Sequence, residues 1–152
     1  MTKGQSRTQR FSKAMATELK RRRRALMRIM GDNSIALIPA SRASVRSNDT
    51  EYPYRAASNM LYMTGFDEPE ALMVLIPNRR QGQYIMFCRE RDPLQETWHG
   101  RRLGVEDAPE ALGADDAFPI SDIDDILPGL LENKQAVFHT LGKDQGLSLI
   151  HI

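Results

Sequence analysis

The chain has 152 residues and a formal net charge of +1, and 41% of its residues are hydrophobic and 27% charged. This length and composition predict one soluble globular domain and exclude a second full domain. No apolar run approaches the roughly 20 residues of a membrane-spanning helix, so no membrane partner is expected. The only cysteine, Cys88, excludes an internal disulfide framework and favours a cytoplasmic location.

The charge is distributed unevenly along the chain. Residues 1–30 contain ten Lys or Arg and one acid, Glu18, whereas residues 31–152 contain 11 Lys or Arg and 19 acids. Such a basic segment could contact nucleic acid or act as an Arg-rich transit peptide, but it lacks the apolar core of a secretory signal. No aromatic residue accompanies the run Arg21 to Arg24. We therefore interpret this run as a solvated helix face and predict no nucleic-acid partner.

The first elements in chain order are a tail, a helix and a strand. Residues 1–11 are polar and aperiodic, which predicts a flexible basic tail. Apolar residues at helical spacing then predict a helix from about Ser12, its N-cap, to Met30, with Gly31 as its stop. A short apolar run predicts a strand over residues 34–40.

The middle of the chain predicts a long loop followed by strands. Residues 41–60 show no period and read as a loop that carries function. Residues 61–66 read as a strand that ends at Gly65, and residues 71–77 and 83–89 read as a hairpin. A further loop is expected around Pro93, Trp98 and Gly104.

The sequence after residue 108 predicts two helices and then a final strand over residues 135–140. Pro109 and Gly113 would bound a short helix, and Ser121 would cap a helix over residues 121–133 that Pro128 should break or kink. Together these elements predict an α/β fold with a mixed β-sheet flanked by helices.

Motifs for metal binding or nucleophilic catalysis are missing from the sequence. The three histidines are far apart, and none belongs to a His-Glu-x-x-His or Cys-x-x-Cys pattern. Asp67, Glu68 and Glu70 could form an acid/base or metal pair, but beside Pro69 we interpret them as solvated loop charges. No metal or cofactor is therefore expected on this chain.

Five landmarks in order carry a family resemblance: the Arg-rich first helix, "EYPYR", "TGFDEPEA", "RERD" and "WHGRRLG". With their spacing, residues 12–142 resemble the N-terminal domain of bacterial Xaa-Pro aminopeptidases (aminopeptidase P), of the creatinase and methionine-aminopeptidase type. The resemblance implies a ribonuclease H-like version of the mixed α/β fold.

The resemblance also implies a two-domain hydrolase. Its C-terminal "pita-bread" domain would hold two Mn²⁺ ions and remove the N-terminal residue of peptides whose second residue is proline. A metal-bridged hydroxide would attack the scissile bond. We expect this chain to stop before that domain, to be inactive alone, and to partner its catalytic domain and further copies in a homo-oligomer.

Four residues are candidates for the site, two of them through the resemblance. Trp98 matches a tryptophan that lines the substrate pocket of a neighbouring subunit, whereas without the resemblance it would be interpreted as core. Asp49 matches an aspartate near the substrate entrance and could otherwise form a simple turn. Arg101 and Arg102 are expected at an intersubunit contact from their position alone.

Two alternative functions remain for a chain without a catalytic domain: a free-standing protein-interaction module and a nucleic-acid binder. The resemblance fades near Gly142, so residues 143–152 are expected to be a truncated or foreign tail. A verified natural stop directly after Ile152 would instead favour a free-standing protein-interaction module. A nucleic-acid binder that uses Arg21 to Arg24 is disfavoured by the acidic remainder of the chain.

Overall fold

The computed structural model describes residues 11–40, 58–140 and 149–151. The helices are α1 (Lys13–Met30), α2 (Ser58–Thr64), α3 (Pro93–His99), α4 (Ala108–Leu112) and α5 (Ile123–Leu131), and a 3₁₀ turn (Ile120–Asp122) precedes α5. The strands are β1 (Ser34–Pro39), β2 (Leu72–Leu75), β3 (Tyr84–Cys88), β4 (Asp116–Pro119), β5 (Ala136–Thr140) and β6 (Leu149–His151).

The strands of the described residues form one six-stranded mixed sheet in the order β4-β3-β2-β1-β5-β6. Strands β1, β2 and β3 are antiparallel neighbours, and β5 pairs antiparallel with β6. Strand β1 pairs parallel with β5, and β3 pairs parallel with β4. The predicted mixed α/β fold is therefore confirmed.

Each face of the sheet has its own apolar core. Side chains such as Ala36, Met73 and Met86 point to one face, where residues of α1, α2 and α4 cover them. Side chains such as Ile35 and Val74 point to the other face, which α5 covers. This alternation along β1 and β2 is the period-two pattern of a strand that is buried on both sides.

Helix α1 begins and ends where the sequence predicts. The Ser12 hydroxyl accepts a hydrogen bond from the amide of Met15 at 3.1 Å, which satisfies one free donor of the first turn. The helix ends at Gly31, whose amide donates to the carbonyl of Met27 at 3.2 Å. The strands predicted over residues 34–40, 71–77, 83–89 and 135–140 are present as the slightly shorter β1, β2, β3 and β5, and the short helix predicted over residues 109–112 is α4.

The predicted strand over residues 61–66 is wrong, because residues 58–64 form helix α2. Met60, Met63 and Thr64 are buried whereas Leu61 and Tyr62 are exposed, a spacing of three and four that only a helix produces. The Thr64 hydroxyl donates to the carbonyl of Met60 at 2.8 Å, one turn earlier. Residues 58–60 of the predicted loop thus belong to α2, and residues 41–57 lie outside the described part of the chain.

Three further predictions differ from the structure. The expected loop at Pro93 and Trp98 contains helix α3. Ser121 lies within the 3₁₀ turn and does not cap α5, since helical backbone already begins at Ile120. Pro128 lies inside α5 and does not break it, because the apolar contact with the sheet outweighs the lost backbone hydrogen bond, and the predicted kink stays a prediction.

Strands β4 and β6 are not predicted by the sequence at all. Strand β4 (DAFP) is too short and too mixed in character to give a period-two signal. Strand β6 lies within the stretch 143–152 that was expected to be a tail, and it pairs with β5. The domain boundary near residue 142 stays a prediction.

Candidate functional site

The candidate site is built around helix α3. Its first turn is capped by Asp92, whose carboxylate accepts a hydrogen bond from the amide of Gln95 at 3.3 Å. Pro93 occupies the first helical position, where its missing amide hydrogen costs nothing. Gly100 ends the helix and donates its amide hydrogen to the carbonyl of Glu96 at 3.0 Å.

Glu96 ties both ends of this segment together. Its carboxylate pairs with Arg91 Nε at 2.9 Å and accepts hydrogen bonds from the amides of Asp92 at 2.7 Å and Arg102 at 3.2 Å. Only 7% of the Glu96 side chain is exposed. The hydrogen bond from Arg91, with those from the two amides, lowers the pKa of Glu96 to about 2.

Glu68 provides a second tie from the "DEPEA" turn. Its carboxylate lies 3.4 Å from Arg89 Nη2 and accepts the amide hydrogen of Leu103 at 2.9 Å. Its side chain is 12% exposed. The interpretation of Glu68 as a solvated charge is therefore wrong, because its carboxylate fixes the segment that follows α3.

Gly104 allows the same segment to pass close to Arg91. Its φ of +90° belongs to the region that L side chains rarely adopt. A Cβ at this position would lie 2.5 Å from Arg91 Cγ. The motif "GRRLG" thus needs its last glycine for a close approach to the Arg91 side chain.

Trp98 lies on the outer side of this fixed segment. It is 76% exposed, so the interpretation of Trp98 as a core residue does not hold in this chain. Leu94, one turn earlier, is 69% exposed, and the two form an apolar ridge on α3. Sequence reasoning missed Leu94, although its spacing of four from Trp98 is a helical signal.

The two arginines differ in their surroundings. Arg102 Nη1 donates to the carbonyl of Glu90 at 3.1 Å, and its side chain is half-buried. Arg101 is exposed. The structure therefore brings Trp98, Arg101 and Arg102 onto one short segment, whereas Asp49 lies outside the described residues.

A comparison with known protein families now decides the assignment. Residues 19–138 match the family model described as "Aminopeptidase P, N-terminal domain". The chain belongs to the aminopeptidase P N-terminal domain family. It is 44% identical over 134 residues to the Xaa-Pro aminopeptidase of Escherichia coli, which covers 88% of this chain and 30% of that protein.

Solved structures agree with this assignment to the aminopeptidase P family. The aminopeptidase PepP of Pseudomonas aeruginosa matches with a TM-score of 0.79 and 54% identity, covering 84% of this chain and 29% of that one. A zinc-substituted E. coli aminopeptidase P in complex with product matches with a TM-score of 0.77 and 45% identity, again covering 84% and 29%. The chain thus spans about 30% of the length of these relatives.

The described part of this aminopeptidase P domain does not fit a metal centre. No group of three or more His, Cys, Asp or Glu side chains in residues 11–40 and 58–140 is arranged to hold a metal ion.

Burial raises the pKa of the Cys88 thiol to about 12, which fits an inert core cysteine. None of the helices described here combines the length and hydropathy needed to cross a bilayer.

The Arg-rich helix of this family domain is only partly a solvated face. Arg21 and Arg22 pair with Glu18 at 2.6 and 3.0 Å, and Arg22 also stacks on the Tyr62 ring, 4.3 Å from its centroid. Arg23 is buried, so the interpretation of the run is wrong for this residue.

Arg23 joins α1 to α2 and to the sheet. Its guanidinium carbon lies 4.1 Å from the centroid of the Tyr84 ring, and its Nη1 donates to the carbonyl of Met63 at 3.0 Å. Burial lowers its pKa, although that of an arginine starts very high. Burial also raises the pKa of the Tyr84 phenol. The buried guanidinium of Arg23 therefore helps to hold α1 against α2 and the sheet.

Proposed function

We propose that this chain serves as the N-terminal domain of an Xaa-Pro aminopeptidase, a hydrolase that removes the residue before a proline at position two of a peptide. The relatives carry that name, and about 70% of their length lies beyond the matched region. In this proposal two Mn²⁺ ions belong to the catalytic part. The metal of the E. coli structure, described as zinc-substituted, supports a metal-dependent reaction.

The contribution of this domain is to present Trp98 to the substrate pocket of a neighbouring subunit. The single observation that carries this part is the 76% exposure of Trp98 on a segment whose backbone is fixed by Glu96 and Glu68. The exposed Trp98 side chain is not packed against its own domain, whereas the backbone that carries it is fixed. Such a rigid aromatic can cover a peptide at low entropic cost.

Asp49, Arg101 and Arg102 have supporting roles in the proposal. Arg101 is exposed and free to meet another subunit, whereas Arg102 is already held by the Glu90 carbonyl. We assign Asp49 to the substrate entrance on the family resemblance alone. A homo-oligomer and a cytoplasmic location complete the proposal, and the buried, unpaired Cys88 suits a reducing compartment.

A chimeric enzyme tests this function. Residues 1–140 of this chain replace the matched region of the E. coli Xaa-Pro aminopeptidase, and hydrolysis of an Xaa-Pro peptide is measured. We expect an active chimera in which Trp98→Ala raises KM about tenfold, as expected when an aromatic contact is lost. Trp98→Phe should recover part of the loss.

Ile29→Ala is the matched control, because Ile29 is 81% exposed on α1, outside the candidate site. It should leave KM unchanged. A folded but inactive chimera, or equal KM values for Trp98→Ala and Ile29→Ala, would contradict the proposal. Binding of a protein partner without any hydrolysis would favour the free-standing interaction module instead.

A further inference from the structure

A cleft that the proposed peptidase role does not use runs between α1 and the edge formed by α4 and β3. It has a volume of about 860 Å³, which lies within the roughly 300–1,000 Å³ typical of ligand-binding clefts. Residues from Phe11 to Met27 form one wall, and residues 110–115 with Gln83 and Tyr84 form the other. The cleft lies away from α3, since none of the α3 residues lines it.

The α1 wall carries a row of free cations. Lys13, Lys20 and Arg24 all line the cleft, and their spacing of seven and four places them on one side of the helix. At a rise of 1.5 Å per residue the row is about 16 Å long. Among the described residues none of these three side chains has an ion pair or hydrogen bond.

Glu18 and the arginines from Arg21 to Arg23 are already engaged elsewhere, and Arg28 does not line the cleft. Glu18, the only acid of the helix, is held by Arg21 and Arg22, and these hydrogen bonds, that from Arg21 above all, lower its pKa to about 2. Arg23 is buried against Tyr84. No acid of α1 therefore remains to neutralise the row of cations along the cleft.

The remaining lining favours a peptide over a phosphate compound. Phe11 and Met27, both partly exposed, supply apolar surface beside the cations. On the opposite wall Glu110 and Asp115 present exposed carboxylates, which disfavour a ligand charged on all sides, such as a polyphosphate. An extended peptide can direct its acidic side chains to α1 only and turn its uncharged amides towards Glu110 and Asp115.

We propose that this cleft binds an extended acidic peptide segment of a partner protein through Lys13, Lys20 and Arg24. Charge complementarity selects the occupant, and the apolar lining supplies contact area. The affinity is modest and sensitive to salt, because the three cations are exposed at the rim. This proposal does not depend on the proposed peptidase function.

Fluorescence anisotropy of a labelled decapeptide of alternating glutamate and leucine, titrated with the full chain, tests the inference. We expect binding that weakens as salt rises. The double variant Lys20→Glu/Arg24→Glu should weaken binding by about tenfold or more, since two exposed attractions become repulsions. The double variant Arg28→Glu/Arg80→Glu makes the same change in net charge outside the cleft and should bind as the parent does.

Several outcomes would overturn the proposal. The first is no binding of the decapeptide by a folded chain, checked by circular dichroism. Others are equal affinity for a glutamine-leucine decapeptide, or equal losses in the two double variants. Binding of tripolyphosphate or a single-stranded oligonucleotide in place of the peptide would assign the cleft to phosphate ligands instead.

Discussion

The Glu96 carboxylate lies 2.9 Å from Nε of Arg91, and this ion pair joins the segment just before α3 to the middle of the helix. The same carboxylate accepts hydrogen bonds from the amides of Asp92, at the N-cap, and Arg102, beyond the end of the helix. One acidic side chain thus holds three other positions of the chain. The orientation of Trp98, two residues after Glu96, depends on the same contacts.

Replacing this acid should show its role through pH. The folded-state pKa of Glu96 is about 2, below the roughly 4.3 of a free glutamate, so its stabilisation is present above the unfolded value and is lost as pH falls towards 2. Glu96→Gln should therefore lower Tm at pH 7. Between about pH 5 and pH 2 the Tm of the variant should fall less than that of the parent. Thermal melts across this range measure both effects.

The control for Glu96→Gln is Glu132→Gln. Glu132 is exposed just beyond α5, and its substitution should leave the acid limb of the Tm profile as it is. Parallel profiles for the parent and Glu96→Gln would contradict the assigned role of the carboxylate.

Two glycines of the α3 segment allow a paired test of close approach. Gly100 and Gly104 both have positive φ, at +100° and +90°, but only Gly104 faces a side chain, Arg91. Gly100→Ala should cost about 1 kcal/mol of unfolding free energy from backbone strain alone, and Gly104→Ala should cost about 1–3 kcal/mol more. Urea unfolding measures the free energy of unfolding of both variants. Equal losses would mean that the Arg91 side chain moves aside without any loss of stability.

Tyr84 is expected to tolerate the loss of its hydroxyl. This oxygen is buried, and in the described structure it has no hydrogen-bond partner. Tyr84→Phe keeps the ring under Arg23 and removes a desolvated polar group, so the free energy of unfolding should stay level or rise by about 1 kcal/mol. Tyr62→Phe, on an exposed ring, should be neutral. A loss above about 1 kcal/mol for Tyr84→Phe would reveal a partner for the hydroxyl.

Adjacent arginines of α1 should respond differently to the same conservative change. Arg23→Lys should cost about 1–2 kcal/mol, because an ammonium group cannot both cover the Tyr84 ring and reach the Met63 carbonyl. Arg24→Lys should be neutral, since Arg24 is exposed and keeps its charge. Chemical denaturation of the two variants compares them directly, and similar costs would count against the role of the buried guanidinium.

The single tryptophan gives an optical measurement of the candidate site. Trp98 is the only tryptophan of the chain, and it is 76% exposed. Its fluorescence should show the red-shifted maximum of a hydrated indole and should be quenched readily by acrylamide. In the chimera with the E. coli catalytic region, quenching should fall because the ring meets peptidase surface. Unchanged quenching in an active chimera would mean that Trp98 does not line the substrate pocket.

The sequence predicts those elements whose signal is local. Helix α1 carries its own cap and a long apolar stripe, and β1, β2 and β3 are apolar runs between turns, so their positions were predictable. Helix α2 was mistaken for a strand because "LYMTGF" is short and apolar, and short apolar runs have no distinctive period.

The contacts of the site could not be predicted in the same way. Trp98 was singled out through the family resemblance and Arg101 and Arg102 through their position alone, whereas Glu68 was interpreted as a solvated charge and Glu96 was given no role. Glu68 reaches Leu103 across 35 positions of sequence, and such a partner depends on how distant elements pack. The burial of Arg23 likewise depends on the position of Tyr84, which only the sheet determines.

The parallel pairing of β1 with β5 bears on how the chain folds during synthesis. Ser34 pairs with Ala136, so a central strand must wait for a partner made roughly 100 residues later. On the ribosome β1 and β2 can already form an antiparallel pair while one edge of β1 stays open. Until residues 136–140 emerge, that edge lacks its native partner and is open to wrong pairing and to chaperones.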